Sequence, residues 1–153
     1  MSDRTSRAAA SLAGRPWHAL LVPIPFTCFI LTFFTDLIYA QTADMMWADM
    51  SAWLLTVGLV ISIFVVITGL IDFFWERRIR QRRSSWVHGI GSAIALILSI
   101  FNAFIHSRDA YTSVVPTGLI LSAIVAIIII AVNWYGCTMV YREGVGVDAE
   151  ERP

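Results

Sequence analysis

The sequence has no lysine, and its eleven arginines are balanced by eleven acidic residues, so the formal net charge is zero. A neutral chain lacks the basic surplus that attracts nucleic acid, and we expect no nucleic-acid partner. The two cysteines, Cys28 and Cys137, fall in apolar runs without zinc or thioredoxin-like spacing. P-loop, dinucleotide-turn, nucleophile-elbow and His-Glu-x-x-His motifs are also absent. The sequence therefore indicates no catalytic residue, and we expect no catalytic activity of its own.

What the chain has in excess is apolar surface. Hydrophobic residues make up 58% of its 153 residues, against roughly 45–50% in soluble domains. Four stretches reach the about 20 apolar residues that a bilayer-spanning helix needs, namely 17–39, 51–75, 86–106 and 114–135. A barrel strand would instead alternate over about 10 residues. We predict an all-α membrane protein, a four-transmembrane up-down helix bundle at 17–141, with an N-terminal segment at 1–16 and a tail at 142–153.

The arginines predict the orientation of this bundle. They precede the first helix, fill the connection after the second and follow the fourth, and only Arg108 lies on the other side. Cytoplasmic loops carry the positive excess, so both termini are predicted to be cytoplasmic. The first apolar stretch is longer than the about 7–15 residues of a signal peptide, which favours a retained helix. We expect a multi-pass protein of the bacterial cytoplasmic (inner) membrane, in contact with the lipid bilayer.

Each predicted helix carries its polar residues on one face. Successive residues of an α-helix are turned by about 100°, so positions three, four or seven apart share a face. The third helix has the longest polar stripe, which comprises His88, Ser92, Ala95, Ser99, Asn102 and His106. Shorter stripes occur on the first helix (His18, Thr32, Asp36), the second (Gly58, Thr68, Asp72) and the fourth (Ser122, Ala126, Asn133). Buried charge in a bilayer is costly, so these faces are predicted to point at one another.

By depth the polar residues divide into two clusters. The inner cluster, near the predicted cytoplasmic interface, comprises His18, Asp72, His88 and Asn133, and the outer cluster comprises Asp36, Asn102 and His106. The first and third helices of an up-down bundle stand diagonally across the core. His18 and His88 are therefore expected to contact one centrally bound group from opposite sides.

Several chemistries suit the inner cluster. Two facing imidazoles are typical axial ligands of a haem b, with Asp72 and Asn133 in the surrounding shell. With Asp72 the same pair resembles a two-His, one-carboxylate metal site. A quinone that exchanges protons with His and Asp is a third hypothesis. A fourth is that each polar group is partly hydrated and bonds a neighbouring helix. The leading hypothesis is haem b with His18 and His88 as axial ligands and no other metal.

The residues from about 17 to 147 resemble a bacterial membrane family known as domain of unknown function 2231. The resemblance is carried by His18-Ala-Leu-Leu-Val-Pro-Ile-Pro25, by Thr68-Gly-Leu-Ile-Asp72, by His88 with Asn102, and by Val140-Tyr-Arg-Glu-Gly-Val-Gly-Val147. The family's first motif usually reads His-Pro-Leu-Leu-Val-His-Phe-Pro, so Ala19 and Pro23 depart from it. This removes one imidazole and leaves His18 as the only histidine of the first helix.

The resemblance implies a four-helix membrane domain without an established activity. Members of the family that occur with Rieske-type iron–sulfur modules imply redox surroundings. We therefore expect a subunit or accessory of a membrane redox assembly, acting as a haem b electron-transfer protein. Its expected partner is another membrane protein or a second copy of itself. The competing hypothesis is a non-catalytic structural or assembly subunit of a larger membrane complex.

Overall fold

The computed structural model describes residues 11–12, 15–75, 77–108 and 113–141. Within these ranges a two-residue antiparallel pair, β1 (Ser11–Leu12) with β2 (Arg15–Pro16), precedes six helices. The helices are α1 (Trp17–Leu21), α2 (Pro23–Thr42), α3 (Met45–Trp75), α4 (Arg77–Arg80), α5 (Arg83–His106) and α6 (Thr117–Tyr141). The predicted tail at 142–153 and residues 1–10 of the predicted N-terminal segment lie outside the described residues.

Four helical stretches are long and apolar enough to cross a bilayer, which confirms the predicted all-α membrane fold. They are Trp17–Thr42, Met45–Trp75, Arg83–His106 and Thr117–Tyr141. Their ends differ from the predicted ones: the second begins at Met45 rather than at 51, and the fourth ends at Tyr141 rather than at 135. The predicted ends were placed where the apolar residues stop. A helix satisfies its own backbone hydrogen bonds, so it can continue past the last apolar residue into the polar interface.

The first span consists of α1 and α2 in succession. Pro23 and Pro25 have no N–H to donate, so the carbonyls of Ala19 and Leu21 lose their usual helical partners. Val22 nevertheless keeps helical dihedral angles, and its N–H donates to the His18 carbonyl at 3.1 Å. The chain therefore crosses as one helical path with an interrupted hydrogen-bond ladder at its inner end.

The spans pack as two helical hairpins. The α2 helix packs most closely against α3 and the α5 helix against α6, while α2–α6 and α3–α5 contacts join the hairpins. Spans one and three are thus diagonal, as an up-down bundle requires. A glycine permits the close approach of the two helices in each hairpin. A Cβ added to Gly58 of α3 would lie 2.8 Å from Phe29 of α2, and a Cβ added to Gly91 of α5 would lie 2.5 Å from Val132 of α6.

The interior holds polar side chains above and below an apolar layer. Apolar side chains from all four spans meet in the middle of the bundle, namely Phe29, Leu55, Ala95, Val125 and Ile129. The buried polar residues include Thr32, Thr35, Asp36, Ser51, Ser62, Asp72, Ser99, Asn102, His106 and Ser122, while large aliphatic and aromatic side chains are exposed. In a bilayer the exposed apolar side chains contact lipid. The buried polar side chains contact one another and avoid the cost of facing the hydrocarbon.

Candidate functional site

The structure brings the two imidazoles of the inner cluster together. The inner end of the bundle is the end that carries Trp17, Tyr141 and the connection between α3 and α5. His18 on α1 and His88 on α5 are half-buried there, with ring centroids 6.1 Å apart and an interplanar angle of 76°. One ring comes from each hairpin, so the two face each other across the junction between hairpins.

Each ring is held by a main-chain carbonyl of the next helix in its own hairpin. His18 Nδ1 lies 3.1 Å from the carbonyl oxygen of Val65 on α3. His88 Nδ1 lies 3.1 Å from the carbonyl oxygen of Val132 on α6. A carbonyl oxygen can only accept, so each Nδ1 carries a proton and donates it. In the neutral imidazole, Nε2 is then an unprotonated acceptor on both rings.

A glycine beside each carbonyl makes room for the ring. Gly69 lies one helical turn after the carbonyl that binds His18, and a Cβ there would be 3.0 Å from the His18 Cε1 and Nδ1 atoms. Gly136 stands in the same relation to His88, with a Cβ at 3.2 Å from its Cε1. Both distances are shorter than the about 3.5–4.0 Å of ordinary carbon contacts. The two halves of the site are therefore built in the same way.

The other predicted members of the inner cluster lie on the helices that supply these carbonyls. Asp72 is buried on α3, and Asn133 is half-buried on α6. Their place in a shell around the imidazoles stays a prediction. Among the residues that the structure describes, no group of three or more His, Cys, Asp or Glu side chains is arranged to hold a metal ion.

The outer cluster forms a hydrogen-bonded group at the opposite end of the core. His106 Nε2 is 2.9 Å from Asp36 Oδ1, and the Ser122 hydroxyl donates to Asp36 Oδ2 at 2.7 Å. On the other side of the ring, His106 Nδ1 lies 3.0 Å from the carbonyl oxygen of Asn102. The Asp36 side chain is fully buried, so a charge on it would depend on these neighbours for compensation.

The Asn102 side chain differs from the rest of this cluster. It is fully buried, yet neither its Oδ1 nor its Nδ2 atom has a hydrogen-bond partner among the residues that the structure describes. Nearby, the hydroxyls of Thr35 and Ser51 bond each other across α2 and α3 at 2.6 Å. The outer half of the core is thus a polar region to which all four spans contribute.

Sequence reasoning missed several groups that position the imidazoles. The carbonyls of Val65 and Val132 carry no side-chain signature, so no motif points to them. The glycines did offer a signal for these positions. A Val is followed by a Gly four residues later on both helices, as Val65 and Gly69 on α3 and as Val132 and Gly136 on α6. Ser122 was placed on the inward face of its helix but was not assigned to Asp36.

Comparison with known proteins identifies a family without an assigned activity. The model of the family described as "Predicted membrane protein (DUF2231)" matches residues 14–149, which is most of the chain. No curated protein and no solved structure matches the sequence. The four apolar spans agree with that description. The chain therefore belongs to the DUF2231 family of predicted membrane proteins.

Proposed function

We propose that this protein is an electron carrier of the bacterial cytoplasmic membrane that binds haem b through His18 and His88. The observation that carries the proposal is the contact of each Nδ1 with a main-chain carbonyl oxygen at 3.1 Å. Since a carbonyl only accepts, Nδ1 is the protonated nitrogen of each ring, and each Nε2 would have a lone pair for iron. Metal-binding histidines generally donate their other ring N–H to a carbonyl, carboxylate or water, which fixes the ring orientation.

The proximity of the two rings supports one group held by both. The centroids of His18 and His88 are 6.1 Å apart, and one ring comes from each hairpin. His18 and His88 would be the two residues of this chain that hold the haem iron.

The competing chemistries find less support in the same geometry. An oxidised quinone presents carbonyl oxygens, which need donors, whereas the unprotonated Nε2 atoms can only accept. A two-His, one-carboxylate site needs a third ligand close to the pair. The part of the chain that the structure describes holds no such group of three.

The residues of this chain would contribute positioning and burial. The carbonyls of Val65 and Val132 hold the two rings in the ligating tautomer, and Gly69 and Gly136 let the rings lie against the helices. The proposed haem would lie at the junction between the hairpins, where the two rings face each other. Bound there, haem supplies one-electron oxidation and reduction at a potential set by ligands, burial and nearby charge.

Electron transfer requires a donor and an acceptor, so we place the protein within or beside a membrane redox assembly. Its arginines favour cytoplasmic termini, which puts the proposed haem near the cytoplasmic side. The partner is then another membrane protein or a second copy of this chain, whose contact surface includes the inner end of the bundle.

A visible absorption spectrum tests the haem site. The full chain is expressed with added haem, purified in mild detergent and oxidised or reduced. We expect a Soret band and its redox shift, and loss of the band in both His18→Ala and His88→Ala. Absence of the band in wild type, or its survival in both variants, would refute the proposal. A cofactor-free chain that co-purifies stably with a partner would favour a structural subunit instead.

A matched pair of glycine substitutions sharpens this test. Gly69→Ala places a Cβ 3.0 Å from the His18 ring, whereas Gly89→Ala on α5 meets nothing within 4 Å. Both changes add one methyl group to a helix. We expect Gly69→Ala to lower haem occupancy or shift the Soret band and Gly89→Ala to leave both unchanged. Equal spectra for the two variants would show that the His18 ring position does not matter.

A further inference from the structure

The geometry of the outer cluster determines where protons lie. His106 Nδ1 is 3.0 Å from the Asn102 carbonyl oxygen, which only accepts, so Nδ1 carries a proton. His106 Nε2 is 2.9 Å from Asp36 Oδ1, and two unprotonated atoms would repel each other at that distance. A proton therefore lies between them. The pair is either imidazolium with carboxylate or imidazole with carboxylic acid, and its net charge is zero in both cases.

The cluster suits a proton better than a metal cation. Asp36 Oδ1 shares the proton with His106, and Asp36 Oδ2 accepts a hydrogen bond from Ser122 at 2.7 Å. The Ser122 hydroxyl also lies 3.1 Å from the Leu119 carbonyl oxygen, so it can donate there when the carboxyl is protonated. A metal cation would instead need several unprotonated ligands around one point.

Asn102 supplies an independent observation that points to a ligand. Its amide is fully buried, and both the donor and the acceptor group lack a partner within the described ranges of the chain. An apolar residue of similar size would fill the space without that desolvation penalty. The amide faces the core one helical turn from His106, on the same face of α5. A group that both donates and accepts, and that is small enough for the core, is a water molecule.

We propose that the outer cluster is a proton-binding site, in which the Asp36–His106 pair holds the proton and Asn102 holds a water molecule that exchanges it. No bond other than those of the migrating proton forms or breaks. The proposal concerns the opposite end of the bundle from His18 and His88 and does not depend on haem.

The site lies closer to the outer end of the bundle than to the inner end. His106 is the last residue of α5 and is followed by the exposed residues Ser107 and Arg108. Toward the inner end, the apolar layer of Phe29, Leu55, Ala95, Val125 and Ile129 separates the cluster from the inner imidazoles.

The titratable neighbours of the pair are few in the described part of the chain. Tyr39 on α2 is buried, and its hydroxyl lies 3.6 Å from the Met45 sulfur of α3. The facing polar residues of α3 and α6 are serines, Ser51 and Ser122, which do not titrate in the usual range. Asp44, Asp49 and Arg108 are exposed at the outer end.

Nuclear magnetic resonance of the full chain in lipid nanodiscs tests the proposal, with ¹⁵N-labelled histidine. We expect His106 to show a proton bound or shared at Nε2 as well as at Nδ1. Asp36→Asn, whose amide can donate to Nε2, is expected to leave Nδ1 protonated and Nε2 unprotonated. An unprotonated Nε2 in the wild-type protein would overturn the assignment of the shared proton.

Proton exchange with solvent tests the role of Asn102. Asn102→Leu should slow exchange of the shared proton by about tenfold or more, because the bridging water loses its partner. Ser99→Ala is the control, since Ser99 is equally buried on α5 and its hydroxyl donates to the Ala95 carbonyl of its own helix. If Leu prevents folding, Asn102→Ser should preserve fast exchange and Asn102→Ala should not. Equal exchange in all these proteins would overturn the proposal.

Discussion

Gly118→Ala should detach His106 from Asp36, and the structure gives the size of the effect. The new Cβ would lie 2.9 Å from His106 Cε1 and 3.2 Å from the Ser113 carbonyl oxygen. Ordinary carbon contacts are about 3.5–4.0 Å, so the ring must retreat by about 0.6 Å or more. Both of its nitrogens are hydrogen-bonded, so movement of the ring strains these bonds. A displacement of that size along the 2.9 Å bond to Asp36 would lengthen it to about 3.5 Å, outside the usual N–H···O range.

The cost follows from the burial of the pair. Separating the pair leaves two buried polar groups without each other, at a cost of about 1–3 kcal/mol for each, and alanine regains about 0.5–1 kcal/mol over glycine within a helix. We therefore expect Gly118→Ala to lower the free energy of unfolding by about 1–5 kcal/mol. Reversible unfolding in mixed micelles, followed by circular dichroism, measures this difference. Gly89→Ala is the control, because its Cβ meets nothing within 4 Å and should be neutral or slightly stabilising.

A double-mutant cycle then identifies the contact responsible. The His106→Ala protein has no imidazole ring for the new Cβ to displace. In that background Gly118→Ala should lower the free energy of unfolding by less than about 1 kcal/mol, through the remaining close contact with the Ser113 carbonyl oxygen. Equal free energies of unfolding for the Gly118→Ala and Gly89→Ala proteins would contradict the expected displacement of the His106 ring. So would an equal cost of Gly118→Ala with and without His106, since the ring would then not mediate the effect.

Two further changes test the hairpin of α2 and α3, with the same unfolding measurement. Thr35→Val removes the 2.6 Å bond to Ser51 and leaves a fully buried hydroxyl without its partner across the helices, so we expect a loss of about 1–3 kcal/mol. Adding Ser51→Ala should recover part of that loss, and an additive double variant would argue against the bond. Gly58→Ala places a Cβ 2.8 Å from Phe29 Cε1 and should cost about 1–3 kcal/mol by overpacking. A stabilised Gly58→Ala protein would show that Phe29 can move aside.

The sequence was sufficient for the number of spans and for their buried faces. Apolar length specifies the spans, because the bilayer requires about 20 residues per crossing. The 100° turn per residue placed Asp36, Ser99 and Asn102 on inward faces, and all three are fully buried. The helix ends were less predictable. The fourth span begins at Thr117 rather than at 114, because Pro116 favours the start of a helix over its interior.

The contacts of the imidazoles could not be derived from residue types. The diagonal arrangement of spans one and three indicated that His18 and His88 would approach each other. Their hydrogen-bond acceptors are main-chain carbonyls, which every residue possesses, so no pattern distinguishes Val65 or Val132 from its neighbours. These atoms decide which ring nitrogen is protonated, and hence what the pair can bind.

The length of α5 between the two clusters keeps a charge in one cluster far from a charge in the other. His88 and His106 are separated by eighteen residues of one helix, which is about 27 Å at 1.5 Å per residue. At an effective dielectric constant of about 20, unit charges at that distance interact by only about 0.6 kcal/mol. An electron on the proposed haem would therefore change the proposed proton equilibrium at the other end by less than about threefold. Mutations could then adjust the potential of the one proposed site and the acidity of the other separately.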